Sequence, residues 1–316
     1  MRKRLRLVLG LSLVLSLLMA SVAFAHVDEV DDGAIDNAKA THGHDQHDQH
    51  GGTDGHLAPV SDDVDVVSKL ELRNVVPGKI ADVGVFADHA YLAAWGGVTC
   101  KYNGVHVVDI SDVENPDEIA FINAKEGSYP GEGVQALNIA TSAFKGDILV
   151  TNNEKCNDKA GFGGMNIYDV TDPAHPTPLT VGFGDDAVPG AGKKDAHETH
   201  SVFAWDAGSR AYAVMVDNEE ALDVDIVDIT DPKKPVFIAE YDLAQRYPQI
   251  LQPGQGLDEV FLHDMVVKQI GTQQVMLASY WDGGYVQLDV TDNGAGVPAT
   301  PVVLADSDFP NPDSQG

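Results

Sequence analysis

From residue 69 the chain is a succession of short apolar runs rich in Val, Ile, Leu and aromatic residues, separated by Gly, Pro and Asp. Runs this short, bounded by turn-forming residues, predict β-strands rather than helices. One stretch displays the plan. "HSVFAW" (200–205) leads to "AYAVMVD" (211–217), then "VDIVDI" (224–229), which turns through "TDP" into "PVFIAEY" (235–241). The same wording recurs in "GVHVVDISDVENPDEIAFI" from Gly104, "GMNIYDVTDPAHPTPLTVG" from Gly164, "DVDIVDITDPKKPVFIAEY" from Asp223 and "GYVQLDVTDNGAGVPATPVVLAD" from Gly284. The shared aspartates, Asp109, Asp169, Asp228 and Asp289, are spaced 60, 59 and 61 residues apart. Units of this length with four antiparallel strands each predict an all-β fold, a β-propeller of four-stranded blades.

The repeated aspartates read as turn chemistry. An Asp side chain accepts a hydrogen bond from backbone two residues on, and the Pro after Asp172 and Asp231 pre-sets φ for a turn. The phrases "VVDISD", "IYDVTDP", "IVDITDP" and "QLDVTD" resemble the LVIVD-repeat family of exported bacterial and archaeal proteins. The resemblance covers about residues 69–309. It implies a propeller in an exported or cell-surface setting and does not specify an activity. About four blades are expected, at roughly 79–123, 133–182, 198–242 and 261–306. An additional strand, "KLELRNVV" (69–76), reads as the outer strand of a further blade. It has no blade to complete here, which predicts an N-terminal part of a six- or seven-bladed ring, incomplete at the C-terminus. A closed four-bladed ring is the alternative.

The residues before 69 are of another kind. "MRKRLRLVLGLSLVLSLLMASVAFA" has a basic start, an apolar run and a small-x-small end at Ala23–Ala25. It reads as a secretory signal peptide (1–25), with a retained N-terminal anchor as the alternative. No later stretch is apolar for the roughly 18 residues a membrane span needs. Residues 26–68 read as a disordered acidic linker carrying His26, His42, His44, His47, His50 and His56, half of the chain's 12 histidines. Such a tract chelates Zn²⁺, Cu²⁺ or Ni²⁺ loosely, or is simply a solvated linker. Removal of the leader takes the formal charge from −29 to −33. That balance disfavours nucleic acid and anionic lipid and attracts cations. In an exported chain the two cysteines, Cys100 and Cys156, are expected to pair as a disulfide.

Candidate chemistry concentrates in "KDAHETHSVFAWD" (194–206), where His197, Glu198 and His200 fall together. The spacing is not the helical HExxH arrangement, and along a strand His197 and His200 face opposite sides. Aligning the first strands, "IADVGVF", "EGVQALNI", "ETHSVFAW" and "FLHDMVV", puts Asp82, Gln135, His200 and His263 at or near one level of the channel. Asp264, Glu132, Glu198 and His197 fall at its rim. The candidate divalent-metal residues are therefore His200, His263, Asp264, Glu198, His197 and Asp82, with Ca²⁺, Zn²⁺ or a similar ion as the cofactor. His263–Asp264 also reads as a general acid/base pair. The same loop-rich face collects Glu132, Gln135, Asn153, Glu154, Asn218, Glu219, Glu220, Trp281 and Asp282 as a ligand-binding surface. The plainer alternative is that polar residues line a solvated channel with no ligand.

On these grounds the sequence predicts an exported binding or interaction module with an extracellular or surface partner. A metal-dependent hydrolase or oxidoreductase at the channel mouth and a purely architectural surface protein are the alternatives.

Overall fold

The computed structural model describes residues 65–73, 75, 79–95, 100, 102–156, 161–185, 196–219, 223–251, 261–281, 283–297 and 301–307. The expected signal peptide and most of the expected linker lie outside the described residues, as do Glu220 and Asp282. No described helix is long and apolar enough to cross a membrane.

Four four-stranded antiparallel sheets follow one another along the chain. Blade 1 comprises β1 (Ile80–Phe86), β2 (His89–Ala94), β3 (Gly104–Asp109) and β4 (Asp117–Asn123). A short strand β5 (Ser128–Tyr129) precedes blade 2, which is β6 (Val134–Ala140), β7 (Lys145–Thr151), β9 (Met165–Asp169) and β10 (Thr177–Phe183); β5 pairs with β8 (Glu154–Lys155), inserted between β7 and β9. Blade 3 is β11 (Thr199–Asp206), β12 (Ala211–Asp217), β13 (Val224–Asp228) and β14 (Val236–Tyr241). A short helix α1 (Leu243–Arg246), capped by Asp242 accepting from Gln245 N at 2.8 Å, leads toward blade 4: β15 (Leu262–Ile270), β16 (Gln273–Tyr280), β17 (Gly284–Asp289) and β18 (Val302–Asp306).

The sheets stack face to face, and the hydrophobic core lies between them. Tyr91, Val105 and Val107 of blade 1 pack on Val134, Ala136 and Leu149 of blade 2. Ile139, Val150 and Ile167 of blade 2 meet Val202, Ala213 and Met215 of blade 3. Tyr212, Val214 and Ile226 of blade 3 meet Met265, Met276 and Leu288 of blade 4. This arrangement explains the two hydrophobic textures in the sequence. The second strand β12 is covered on both faces and buried at every position, so "AYAVMVD" is almost continuously apolar. Outermost β18 is mostly exposed. Each fully buried large side chain contributes on the order of 1.5–3 kcal/mol.

Innermost strands lie side by side: β1 with β6, β6 with β11, and β11 with β15. Side chains tie each to the next. Asp82 Oδ2 accepts from Val134 N at 2.9 Å, Gln135 Oε1 accepts from Ala204 N at 2.7 Å, and Ser201 Oγ donates to Asp264 Oδ1 at 2.7 Å.

The repeated aspartates do make turns. Asp109, Asp169, Asp228 and Asp289 each accept from the backbone N of the residue two positions on, at 2.8–3.0 Å. Asp112, Asp172 and Asp231 repeat the pattern at 3.0–3.2 Å. These are Asx-turns, with both aspartates of the motif spent on backbone.

The expected additional strand at 69–76 is corrected. Its described residues join no sheet. The segment instead runs beside blade 1: Ser68 Oγ donates to Val113 O at 2.6 Å, and Arg73 N donates to Glu118 Oε2 at 2.7 Å. The segment is therefore held by side chains rather than by a ladder.

Candidate functional site

The site begins with a repeated backbone irregularity. The pairing of β1 with β2 slips between Ile80 and Asp82, that of β11 with β12 between Thr199 and Val202, and that of β15 with β16 between Leu262 and Asp264. A β-bulge inserts an unpaired residue and re-aims its side chain. In blades 3 and 4 the bulges carry His200 and His263. Their imidazole rings come together with centroids 4.8 Å apart.

Glu132 completes the cluster from the turn entering blade 2. Its Oε2 lies 3.5 Å from His200 Nε2. One ligand atom from each of Glu132, His200 and His263 lies within 4.8 Å of the others. Two imidazoles and a carboxylate, drawn from three blades, form a donor set suited to a divalent transition metal.

A shell of further groups fixes His200. Glu154 Oε1 approaches its Nδ1 at 3.6 Å, and the other Glu154 oxygen accepts from Tyr129 OH at 2.8 Å. Asn152 Nδ2 donates to the carbonyls of Thr199 and His200, at 2.9 and 2.5 Å, pinning the bulge. Glu154 is only 5% exposed, and its Oε1 has no hydrogen-bond partner. Burial alone pushes the His200 imidazole down, but Glu154, Glu132 and Asp264 outweigh it and raise the group to about 9. Without a metal, then, the cluster holds a proton there.

Local sequence accounts for the fit. In "PGEG", Gly131 has φ +53°, and a Cβ on it would collide with the Glu154 carboxylate; a Cβ on Gly133 would meet Asn152 Oδ1 and Val202 N, each at 2.7 Å. Two glycines thus let the turn bearing Glu132 press against the neighbouring loop and strand.

The predicted metal residues separate. His200 and His263 come together, joined by Glu132, which the sequence had given only to the binding face. Asp82 and Asp264 stand one residue beyond the bulges and serve as inter-strand acceptors; each also accepts from the next backbone N at 2.7 Å. The expected alignment of Asp82 with His200 is therefore off by one: Asp82 is equivalent to Ser201 and Asp264, and blade 1 has Ala81 at its bulge. Asp82 is held above the usual carboxylate range, mainly by burial and partly by Asp264. Glu198 turns away and accepts from Lys155 N at 3.0 Å. His197 lies in the loop before β11 and bonds Asp217, not the His200 cluster.

Of the expected binding face, Gln135 and Asn153 are structural. Asn153 is buried, donating to Gly163 O and Gly164 O at 3.2 and 3.0 Å. Glu219 accepts from Lys155 Nζ at 2.7 Å, while Asn218 is exposed. Trp281, 44% exposed, stacks on Phe261 with centroids 5.4 Å apart and leans on His263 at 5.3 Å. Trp205 is core, and Trp95 packs edge-on against Tyr129. Cys100 and Cys156 are disulfide-bonded, with Cα atoms 6.1 Å apart, linking blades 1 and 2 near this face. Asn152, Tyr129, Ser201, Asp185 and Asp217 were not singled out in the sequence. Their recurrence at strand ends facing the long loops is the signal that could have found them.

No protein-family model matches the chain, and no curated protein matches it. Solved structures similar to it include an exo-β-1,3-galactanase from Clostridium thermocellum, 12% identical, covering 74% of this chain and 52% of that one with a TM-score of 0.46. Another is the exo-β-1,3-galactanase of Phanerochaete chrysosporium, 10% identical over 72% of this chain and 49% of that one, with a TM-score of 0.43. A third is the endo-arabinase of Bacteroides thetaiotaomicron, 12% identical over 72% of this chain and 80% of that one, with a TM-score of 0.41. The chain spans about half the length of the first two. The names of these neighbours are those of enzymes, which runs against the expectation of a binding module that is not an enzyme; they say nothing of this chain's own activity or substrate.

Proposed function

We propose that the chain is a hydrolytic enzyme whose active site is the Glu132–His200–His263 cluster at the mouth of the inner strands, working with a divalent metal ion. The observation that carries this reading is the convergence of those three ligand atoms, from three blades, within 4.8 Å. A bound ion there would supply Lewis acidity and lower the pKa of a coordinated water. Glu154, 3.6 Å from His200 Nδ1, favours a proton on that nitrogen by its charge, leaving Nε2 for the ion. Asp264, whose charge acts on His200, would be the carboxylate available as general base toward such a water. Phe261 and Trp281 form an aromatic wall beside His263 for an apolar substrate face. The repeat wording and leader support export, and we read the enzyme as an extracellular or surface protein of LVIVD-repeat type.

The test pairs metal analysis with turnover of nitrophenyl glycosides, esters and phosphates by the metal-loaded protein. His263→Ala and His200→Ala are expected to abolish turnover and to weaken metal binding at this site at least ~10-fold. Turnover that survives both substitutions, or that needs no metal, would exclude this site.

A further inference from the structure

A second set of ligating side chains lies apart from this cluster, between blades 2 and 3. His197 Nδ1 is 2.6 Å from Asp217 Oδ2 and 3.2 Å from Asp185 Oδ2. One ligand atom from each lies within 4.8 Å of the others. Asp185 follows β10 at the end of blade 2, His197 lies just before β11, and Asp217 ends β12.

Charge makes the arrangement unusual. Two carboxylates face one imidazole, and among the described residues no lysine or arginine pairs with Asp185 or Asp217. Lys155, the nearby cation, is engaged by Glu219 at 2.7 Å. The Asp217 side chain is only 2% exposed. Asp185 Oδ1 is buried with no hydrogen-bond partner. A buried carboxylate is costly unless a cation compensates it. Even a charged imidazole balances only one of the two acids.

We infer that Asp185, His197 and Asp217 form a second, structural divalent-cation site. The ion replaces the proton on His197 Nδ1 and joins the end of blade 2 to blade 3. One imidazole among carboxylates fits Mn²⁺ or Zn²⁺ better than Ca²⁺, which takes oxygen ligands. Asp217 also accepts from Glu219 N at 2.7 Å, so the carboxylate is oriented from outside the donor set, as metal ligands commonly are. This site does not depend on the catalytic reading, since it shares no residue with it.

Manganese binding to the full chain, counted by electron paramagnetic resonance, tests the inference. Comparing wild type with variants cancels binding by the histidine-rich N-terminal tract, which all of them carry. Asp185→Asn leaves the His197–Asp217 contact in place, so its effect reports on the ion rather than on that hydrogen bond. We expect Asp185→Asn and His197→Ala each to remove one Mn²⁺ equivalent or weaken it at least ~10-fold, and to abolish part of the Mn²⁺-induced rise in melting temperature. His263→Ala should leave that equivalent intact. Unchanged Mn²⁺ stoichiometry and affinity in a folded Asp185→Asn protein would overturn the inference. So would loss of the same equivalent on His263→Ala.

Discussion

Asp223 joins two blades with one carboxylate. It accepts from Leu262 N at 2.5 Å and from Tyr280 OH at 2.9 and 3.1 Å. Burial pushes it up to about 7, against the lowering effect of those donors, and its nearness helps raise Tyr280 above the ordinary phenol range. In the unfolded chain such a group titrates near 3.9. Its folded pKa is the higher, so between about pH 4 and pH 7 the native state binds a proton that the unfolded state has released. Stability contributed here is therefore full below about pH 4, falls as pH rises through about 7, and levels off above. Urea melts across that window should show the decline, and Asp223→Asn should flatten it. An unchanged slope in the variant would mean that Asp223 is not the group responsible. His200 is raised too, but through nearby carboxylates, and in a metal-bound protein the ion replaces its proton.

At the scale of elements, bulges and tight turns make the candidate site. β11 and β15 would each present the flanking residue instead of histidine if their bulges were ironed out, because strand side chains alternate. The "PGEG" turn then brings Glu132 within reach. Gly131→Ala should lower metal binding and turnover and also cost stability, about 1–2 kcal/mol from the φ of +53° with the clash against the Glu154 carboxylate added. Thermal melts alongside metal titration separate the two effects; metal affinity equal to wild type would show that the turn tolerates a Cβ. The Cys100–Cys156 bond closes a loop of 56 residues between consecutive blades. Chain-entropy reasoning assigns about 4 kcal/mol to such a closure. Reduction should lower the unfolding midpoint in denaturant accordingly, and Cys100→Ser should reproduce the shift without reductant.

For the whole described fold, stability resides between sheets. Three inter-blade clusters replace one central core, so each blade depends on its neighbours. Strand positions, turn aspartates and the four-stranded unit were legible along the chain, because hydrophobic period and turn chemistry are local. "AYAVMVD" and "IADVGVF" coincide with β12 and β1 at both ends. The segment 69–76 misled because its apolar content fits a strand, while membership of a sheet depends on a neighbouring strand with a vacant edge, which its described residues do not meet.

The site was legible only in part for a related reason. Composition and repeat position brought His200 and His263 forward together, one blade apart, and set the turn role of Asp109, Asp169, Asp228 and Asp289. A bulge shifts register by one residue without any mark in the hydrophobic pattern, so Asp82 aligned with the wrong partner. Likewise, His197 and His200 stand three apart in the chain yet join different clusters, one reaching Asp185 and Asp217, the other Glu132 and His263. Local sequence determined which residues were strands, turns and chemically able side chains. Only tertiary structure decided which of those side chains meet, because the contacts cross blades about 60 residues apart and hang on the placement of single unpaired residues.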